Sequence, residues 1–262
     1  MSAVIVQREG SIARIVMNRP EVHNAFDDGL ISDLTAAIAA VGSDDTVRAV
    51  VLTGEGLSFS AGADLNWMRG MAAASEMDNR ADSLKLAKLM RDLQFLAKPT
   101  IARVNGAAYG GGVGLIACCD IAIGAEHAKF ALSEVKLGLV PAVISPYVIA
   151  AIGLREARRL FLTGEVFDAE LAVRMGLLHE SVPADALDTT VARCVTLLAK
   201  GGPVAQHEAK RLALDMGGMT EMQAHHVDEK NAALIARLRV SSEGQSGLAA
   251  FLAKTTPPWI AE

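Results

Sequence analysis

Apolar residues in the first two thirds of the chain alternate between strand-like and helix-like spacing. Apolar and polar positions alternate over residues 11–17, whereas the apolar residues of segment 30–38 recur at helical spacing. Because strands joined by helical crossovers pair in parallel, this order predicts an α/β fold. The same pattern continues, with predicted strands at 47–53, 99–104 and 120–123 and predicted helices at 80–96 and after 112.

The composition changes after the segment Gly201-Gly-Pro203, where helix-forming residues dominate. The apolar spacing there predicts one helix at 204–216 and a longer one at 220–239. We therefore predict an α/β core over residues 1–200 and an all-helical C-terminal region over 201–262.

Two turns made of small residues follow predicted strands. Segment 104–120 contains three consecutive glycines, Gly110 to Gly112, before a helix-like run, and segment 59–65 is a second small-residue turn. A helix that begins at a glycine-rich turn exposes unpaired backbone N–H groups at the positive end of its dipole. The two turns therefore predict converging amide donors, and at this point phosphate, nucleotide and thioester ligands all remain open.

Composition narrows the possible partners. The net charge of −5 over 262 residues comes without a basic block, and aromatic residues make up only 4%, so nucleic acid is not expected as a ligand. The N-terminal residues lack the layout of a targeting segment, which predicts a cytoplasmic protein. Segment 137–154 is uncharged, but its two prolines and flanking glycines predict a buried pocket wall instead of a membrane span.

Glu134 is the carboxylate most suited to chemistry, because its neighbours along the chain are mostly apolar. A buried carboxyl group has a raised pKa and can transfer protons near neutral pH, whereas a glutamate solvated beside Lys136 would be inert; the spacing leaves both interpretations open. The six histidines form neither a catalytic triad nor a metal-binding spacing, and the three cysteines fit neither zinc nor disulfide patterns.

Other side chains near the turns have two interpretations each. Asp64 and Asp120 follow element ends, where aspartate commonly caps a turn, and Asp120 is interpreted as structural. Trp67 and Met68 fit either the core or an apolar pocket, and their closeness to the first turn favours the pocket.

Four ordered segments of the chain match a known family: 17–25, 60–65, 105–112 and 133–141. Through them the chain resembles the crotonase family, the enoyl-CoA hydratase/isomerase superfamily, over nearly its whole length. The resemblance implies a crotonase (ClpP/crotonase-like) fold, a spiral of ββα units with a C-terminal helical region. It also implies an acyl-CoA thioester substrate with no separate cofactor, since coenzyme A is part of the substrate.

Roles for individual residues follow from the resemblance. It implies that the N–H groups of Ala63 and Gly111 form an oxyanion hole, with Glu134 as the acid/base. Phe251 and Lys254 are similar to a C-terminal pair that reaches coenzyme A from a neighbouring subunit, which implies a homotrimer or a dimer of trimers. The resemblance also implies that the loop around Val22, with Ala61, Asp64 and Leu65, holds the adenine end of coenzyme A. Trp67, Met68 and Pro141 are further predicted substrate contacts, from their closeness to the first turn and from the pocket wall.

The sequence departs from the two-glutamate hydratase pattern at Gly114, which stands where the second glutamate is expected. A single glutamate could still hydrate an enoyl thioester, or shuttle one proton as a Δ3,Δ2-enoyl-CoA isomerase does. A non-catalytic acyl-CoA-binding protein is the third possibility. Segment 140–148 is similar to bacterial methylglutaconyl-CoA hydratase-like proteins, which implies a branched or carboxylated enoyl-CoA.

Overall fold

A computed structural model describes residues 2–260 of the chain. Met1, Ala261 and Glu262, which lie at the ends of the predicted core and C-terminal region, are outside the described residues. The strands are β1 (Val4–Glu9), β2 (Ile12–Met17), β3 (Ala49–Gly54), β4 (Ser58–Ser60), β5 (Thr100–Val104), β6 (Ala107–Tyr109), β7 (Ile121–Ala125), β8 (Lys129–Ala131), β9 (Val166–Asp168) and β10 (Glu180–Val182). The helices are α1 (Asp28–Ser43), α2 (Leu65–Ala73), α3 (Glu76–Gln94), α4 (Gly111–Cys118), α5 (Ser145–Thr163), α6 (Ala169–Met175), α7 (Leu187–Leu198), α8 (Pro203–Met216), α9 (Glu221–Val240) and α10 (Ser242–Ala253).

The larger sheet has six strands in the order β1-β2-β3-β5-β7-β10. β1 pairs antiparallel with β2, and the other pairs in this sheet are parallel. Every residue of β3 is buried, as expected of a central strand covered on both faces. The predicted α/β fold is therefore confirmed. Strands β1 to β8 come in successive pairs followed by helices, as in the predicted spiral of ββα units, whereas β9 and β10 are each followed by a helix of their own.

The smaller sheet has four three-residue strands in the order β4-β6-β8-β9. β4, β6 and β8 run parallel to one another, and β9 closes the sheet antiparallel to β8. Each of the three parallel strands is the second strand of its pair and follows a strand of the larger sheet. This sheet positions the candidate site.

Segment 137–154 forms a loop and the start of a helix, as its prolines predict. α5 begins at Ser145 with Pro146 in its first turn, and Gly153 leaves the helical conformation with φ 76° and ψ 157°. Within residues 2–260 no helix is both long enough and apolar enough to cross a membrane.

Three helices, α8 to α10, make up the regular structure after residue 202 of the described chain. α9 packs along α3, where Arg91 forms a buried ion pair with Asp228. α10 packs against α2 and against the 3-10 turn at 134–137, and it approaches closely because a Cβ at Gly247 would lie 2.3 Å from the carbonyl oxygen of Leu137. α10 therefore lies over the segments that follow β4 and β8. The division at residue 200 into two regions stays a prediction.

Candidate active site

Three loops of the site leave the same edge of the smaller sheet. β4 leads into residues 61–64, β6 leads into Gly110 and Gly111, and β8 leads into Ser133 and Glu134. Because neighbouring parallel strands end at the same edge of a sheet, their following loops are brought together. The two small-residue turns and Glu134 line a common cavity.

The glycine turn begins α4 with a backbone shape that suits glycine. Gly110 has φ 48° and ψ −115°, and its N–H donates to the carbonyl of Ala131 at 2.9 Å. Gly111 is the first residue of α4, and its N–H donates no hydrogen bond to any described residue. A Cβ at Gly112 would lie 2.8 Å from the carbonyl oxygen of Ser60, so this glycine allows α4 to approach β4.

The second turn leaves the amide of Ala63 without a partner in the described chain. Phe26 bridges this turn, donating its N–H to Gly62 at 2.6 Å and accepting from the N–H of Asp64 at 2.8 Å. These two hydrogen bonds lie on either side of Ala63 and hold its peptide group in place. A Cβ at Gly62 would lie 3.0 Å from the carbonyl oxygen of Tyr109, so the two turns are in direct contact.

Glu134 begins the 3-10 turn that follows β8. Its Oε2 is buried and has no hydrogen-bond partner in the described chain, and a Cβ at Gly110 would lie 2.9 Å from its Oε1. Burial raises the pKa of Glu134 to about 7. Lys136 is exposed and forms no salt bridge with it, so the interpretation of a solvated, paired glutamate does not hold.

The cavity has a volume of about 350 Å³ and a mainly apolar wall. Pro141 is buried in that wall, as predicted for segment 137–154, and Trp67 and Met68 lie on the cavity and not only in the core. The predicted site residues on the cavity are Ala61, Ala63, Trp67, Met68, Gly111, Glu134, Pro141 and Phe251, whereas Val22, Asp64, Leu65, Lys254 and Gly114 do not line it.

The C-terminal pair is divided between the cavity and the surface. Phe251 lies on the cavity of its own chain, and the contact of this pair with coenzyme A in a neighbouring subunit stays a prediction. Lys254 ends α10 in the left-handed conformation with φ 56° and is exposed away from the cavity. The reason is that α10 packs on α2 of the same chain, which brings Phe251 but not Lys254 to the cavity.

Ile144 fills the space in front of Gly114. A Cβ at Gly114 would lie 2.3 Å from Cγ2 of Ile144, so no larger side chain fits there without a shift of Ile144. Ile144 itself lines the cavity. An apolar group therefore stands where the second glutamate of the two-glutamate pattern would reach the site.

The predicted turn-capping aspartates have structural partners. Asp64 accepts from the N–H groups of Asn66 and Trp67 at the start of α2, and it pairs with Arg19 at 3.3 Å. Asp120 accepts from the N–H of Thr100 at 2.8 Å and contacts Lys210 at 2.9 Å, which confirms its structural interpretation.

Arg239 is a cavity residue that the sequence analysis did not identify. It lies on α9 with its guanidinium 5.5 Å from the centre of the Trp67 ring. No local pattern marks it, because its neighbours on α3 are about 160 residues away in sequence. Within residues 2–260, no three His, Cys, Asp or Glu side chains are grouped as a metal site.

Comparisons with known proteins agree with this arrangement. A family model described as enoyl-CoA hydratase/isomerase matches residues 7–262. The chain is 32% identical to the 2,3-dehydroadipyl-CoA hydratase of Escherichia coli K12, covering 98% of both chains. It is 31% identical to the crotonyl-CoA hydratase of Syntrophomonas wolfei, covering 99% of this chain and 98% of that one. A crystal structure of an enoyl-CoA hydratase from Shewanella pealeana matches with a TM-score of 0.80 at 43% identity, covering 98% of this chain and 96% of that one.

Proposed function

The chain belongs to the enoyl-CoA hydratase/isomerase family, and from that premise we propose that Glu134 and the amides of Ala63 and Gly111 hydrate a 2-enoyl-CoA thioester. The activity is that of a lyase that adds water to the C2–C3 double bond. The observation that carries the assignment is the unpartnered, buried Oε2 of Glu134 beside two turns with unpaired amides.

The thioester carbonyl oxygen accepts hydrogen bonds from the N–H groups of Ala63 and Gly111. These donors withdraw electrons from C3 and stabilise the enolate oxygen that forms during addition. Each is held by backbone pairing, so neither has to reorganise as charge develops, and losing one such donor costs about 10²–10³ in rate. The positive end of the α4 dipole acts in the same direction.

Glu134 carries both proton transfers. Its carboxylate takes a proton from water while the hydroxide oxygen bonds to C3 and the double-bond electrons move toward the thioester oxygen. The carboxyl then gives a proton to C2, which restores the carbonyl and completes the addition of H and OH. A pKa of about 7 makes both forms of Glu134 accessible near neutral pH.

We propose a branched or carboxylated acyl group, such as 3-methylglutaconyl. Support comes from the wall that segment 140–148 contributes, where Pro141 and Ile144 line the cavity. The Escherichia coli relative is named for a carboxylated enoyl thioester, 2,3-dehydroadipyl-CoA. Val22, Ala61, Asp64 and Leu65 remain proposed contacts for the coenzyme A part.

Oligomerisation is proposed as a homotrimer or a dimer of trimers. Large apolar side chains are exposed on α8 at Val204, Leu212 and Met216, which suits a subunit interface. A monomeric mass in solution would contradict this assembly. A cytoplasmic location is also proposed, in keeping with three free cysteines.

Hydration is tested by turnover of crotonyl-CoA, 3-methylglutaconyl-CoA and a 3-enoyl-CoA in ¹⁸O-labelled water. We expect crotonyl-CoA and 3-methylglutaconyl-CoA, which have a C2–C3 double bond, to give 3-hydroxyacyl products that carry the label. A shifted double bond without label, formed from the 3-enoyl thioester, would show an isomerase. An isomerase needs only one carboxyl group, which agrees with the apolar Ile144 in place of a second carboxylate. Binding of coenzyme A without turnover on any thioester would show a non-catalytic member.

A further inference from the structure

Arg239 is a buried cation in an otherwise apolar part of the cavity. Its side chain is only 13% exposed, and it lies on the wall with Trp67, Met71 and Leu86. The other cationic residue on the wall, Lys136, is exposed beside Glu134. A charged group in such a place requires a role, because burying a charge without a matched partner is costly.

The hydrogen bonds of Arg239 use one side of its guanidinium. Nη1 donates to Oδ1 of Asn79 at 3.2 Å and to Oγ of Ser83 at 3.5 Å. Both acceptors are neutral. Nε and Nη2 donate no hydrogen bond to any residue of the described chain, which leaves the fork geometry that suits a carboxylate unused.

The protein itself compensates the charge of Arg239 incompletely. Asp82 is the one carboxylate within 4.0 Å among the described residues, and its Oδ2 lies 3.9 Å from Nη1. Burial and the neighbouring carboxyl of Asp28 raise the pKa of Asp82 to about 6, while Arg239 and Lys85 act in the opposite direction. Lys85 also pairs with Asp28 at 3.2 Å. Within residues 2–260, Arg239 therefore has no hydrogen-bonded anion of its own.

We infer that Arg239 is a specificity-determining residue that binds a carboxylate on the acyl chain, so that the protein acts on 2-enoyl-CoA thioesters whose acyl group is a half-dicarboxylate. Asn79, Ser83 and the face of Trp67 hold the guanidinium in position, and the substrate supplies the missing anion. This inference rests on the proposed hydration at Glu134; it narrows the proposed acyl group to a carboxylated one and names the residue that selects it.

Two matched substrate pairs test the inference on the full-length protein. Glutaconyl-CoA and 2-pentenoyl-CoA have five-carbon acyl chains, and 2,3-dehydroadipyl-CoA and 2-hexenoyl-CoA have six; within each pair a carboxylate replaces a methyl group. We expect the wild type to prefer the carboxylated member of at least one pair by kcat/KM. Arg239→Met should lower that preference about 30-fold or more, because the substrate carboxylate would be buried unpaired.

Arg239→Lys should restore part of the preference, since it keeps the charge but not the fork. Arg237→Met is the matched control, because Arg237 is exposed on the same helix, and it should leave the preference unchanged. Equal loss on both members of each pair would overturn the inference and show that Arg239 only ties α9 to α3 or contacts the coenzyme A part.

The wild type alone also decides the question if Arg239→Met fails to fold. Carboxylated substrates turned over no faster than their neutral partners at both lengths would overturn the inference but leave the hydratase assignment intact. Absence of hydration on all four thioesters would overturn the hydratase assignment itself.

Discussion

Glu134 and Asp82 are two buried carboxyl groups whose surroundings differ. Both have raised pKa values, about 7 for Glu134 and about 6 for Asp82, and burial is the main cause in each case. Asp82 lies 3.9 Å from Arg239 with Asp28 and Lys85 nearby, whereas Glu134 borders the cavity and has no ionic partner within residues 2–260. Both also have carboxyl oxygens without a hydrogen-bond partner in the described chain, so neither a raised pKa nor an unpaired oxygen identifies the catalytic group. Glu134 is distinguished by its place on the cavity beside two free amides.

The largest expected effect separates these two groups directly. Glu134→Gln should lower kcat for crotonyl-CoA hydration by about 10³–10⁴, because one carboxyl performs both proton transfers. Loss of the enoyl thioester absorbance measures the rate. Asp82→Asn should lower the same rate by only about threefold, since it acts through packing.

Comparable losses in the two variants would remove the distinction between the groups. Unchanged activity in Glu134→Gln would require another base. Thermal melting of both variants separates these outcomes from unfolding.

A smaller effect is expected from Gly110→Ala. The new Cβ would lie 2.9 Å from Oε1 of Glu134, and alanine is strained at φ 48°, so the carboxyl would be displaced. We expect kcat to fall about 10²-fold. Gly10→Ala is the matched control, because Gly10 has φ 61° but nothing within 4 Å of an added Cβ.

Equal stability losses with unequal activity losses would show that displacement of Glu134, and not backbone strain, limits turnover. If Gly10→Ala slowed the reaction as much as Gly110→Ala, strain alone would explain both.

The pH dependence of kcat/KM should report Glu134. Hydration begins with the carboxylate form, so kcat/KM should rise about tenfold per pH unit up to about pH 7 and then level off. A break near pH 6 that disappears in Asp82→Asn would assign the titration to Asp82 instead.

The smallest effect is on stability. The pKa of Glu134 is raised from 4.5 to about 7 on folding. The stability that the folded protein gains from binding this proton is therefore fully present below pH 4.5 and is lost as the pH rises to 7. Relative to the wild type, Glu134→Gln should gain up to about 3 kcal/mol in free energy of unfolding between these pH values. Urea unfolding at pH 5 and pH 8 measures it, and a constant difference would contradict the burial of this carboxyl.

Much of the fold and half of the site follow from local sequence. Strands β2, β3, β5 and β7 of the larger sheet and helices α1, α3, α8 and α9 have apolar spacing that can be counted along the chain. Glycine and other small residues predict the two turns, because they leave backbone amides accessible. The mostly apolar neighbours of Glu134 along the chain mark it as a candidate acid/base.

The remaining features depend on contacts between distant segments. β4, β6 and β8 have three residues each, too few for alternation to be counted, so the sheet that aligns the loops was not predicted. Arg239 and Asn79 meet through the packing of α9 on α3, and no local sequence pattern predicts that contact. The position of Phe251 on its own cavity likewise depends on how α10 packs.

The contact between Gly114 and Ile144 constrains how this enzyme can change over generations. With Cγ2 of Ile144 only 2.3 Å from an added Cβ, a glutamate at position 114 requires Ile144 to move. A smaller residue at 144 would make room, at a cost of about 2–5 kcal/mol for isoleucine to alanine. The gain of a second carboxylate is therefore coupled to residue 144, and libraries that vary positions 114 and 144 together should find it more readily than libraries that vary position 114 alone.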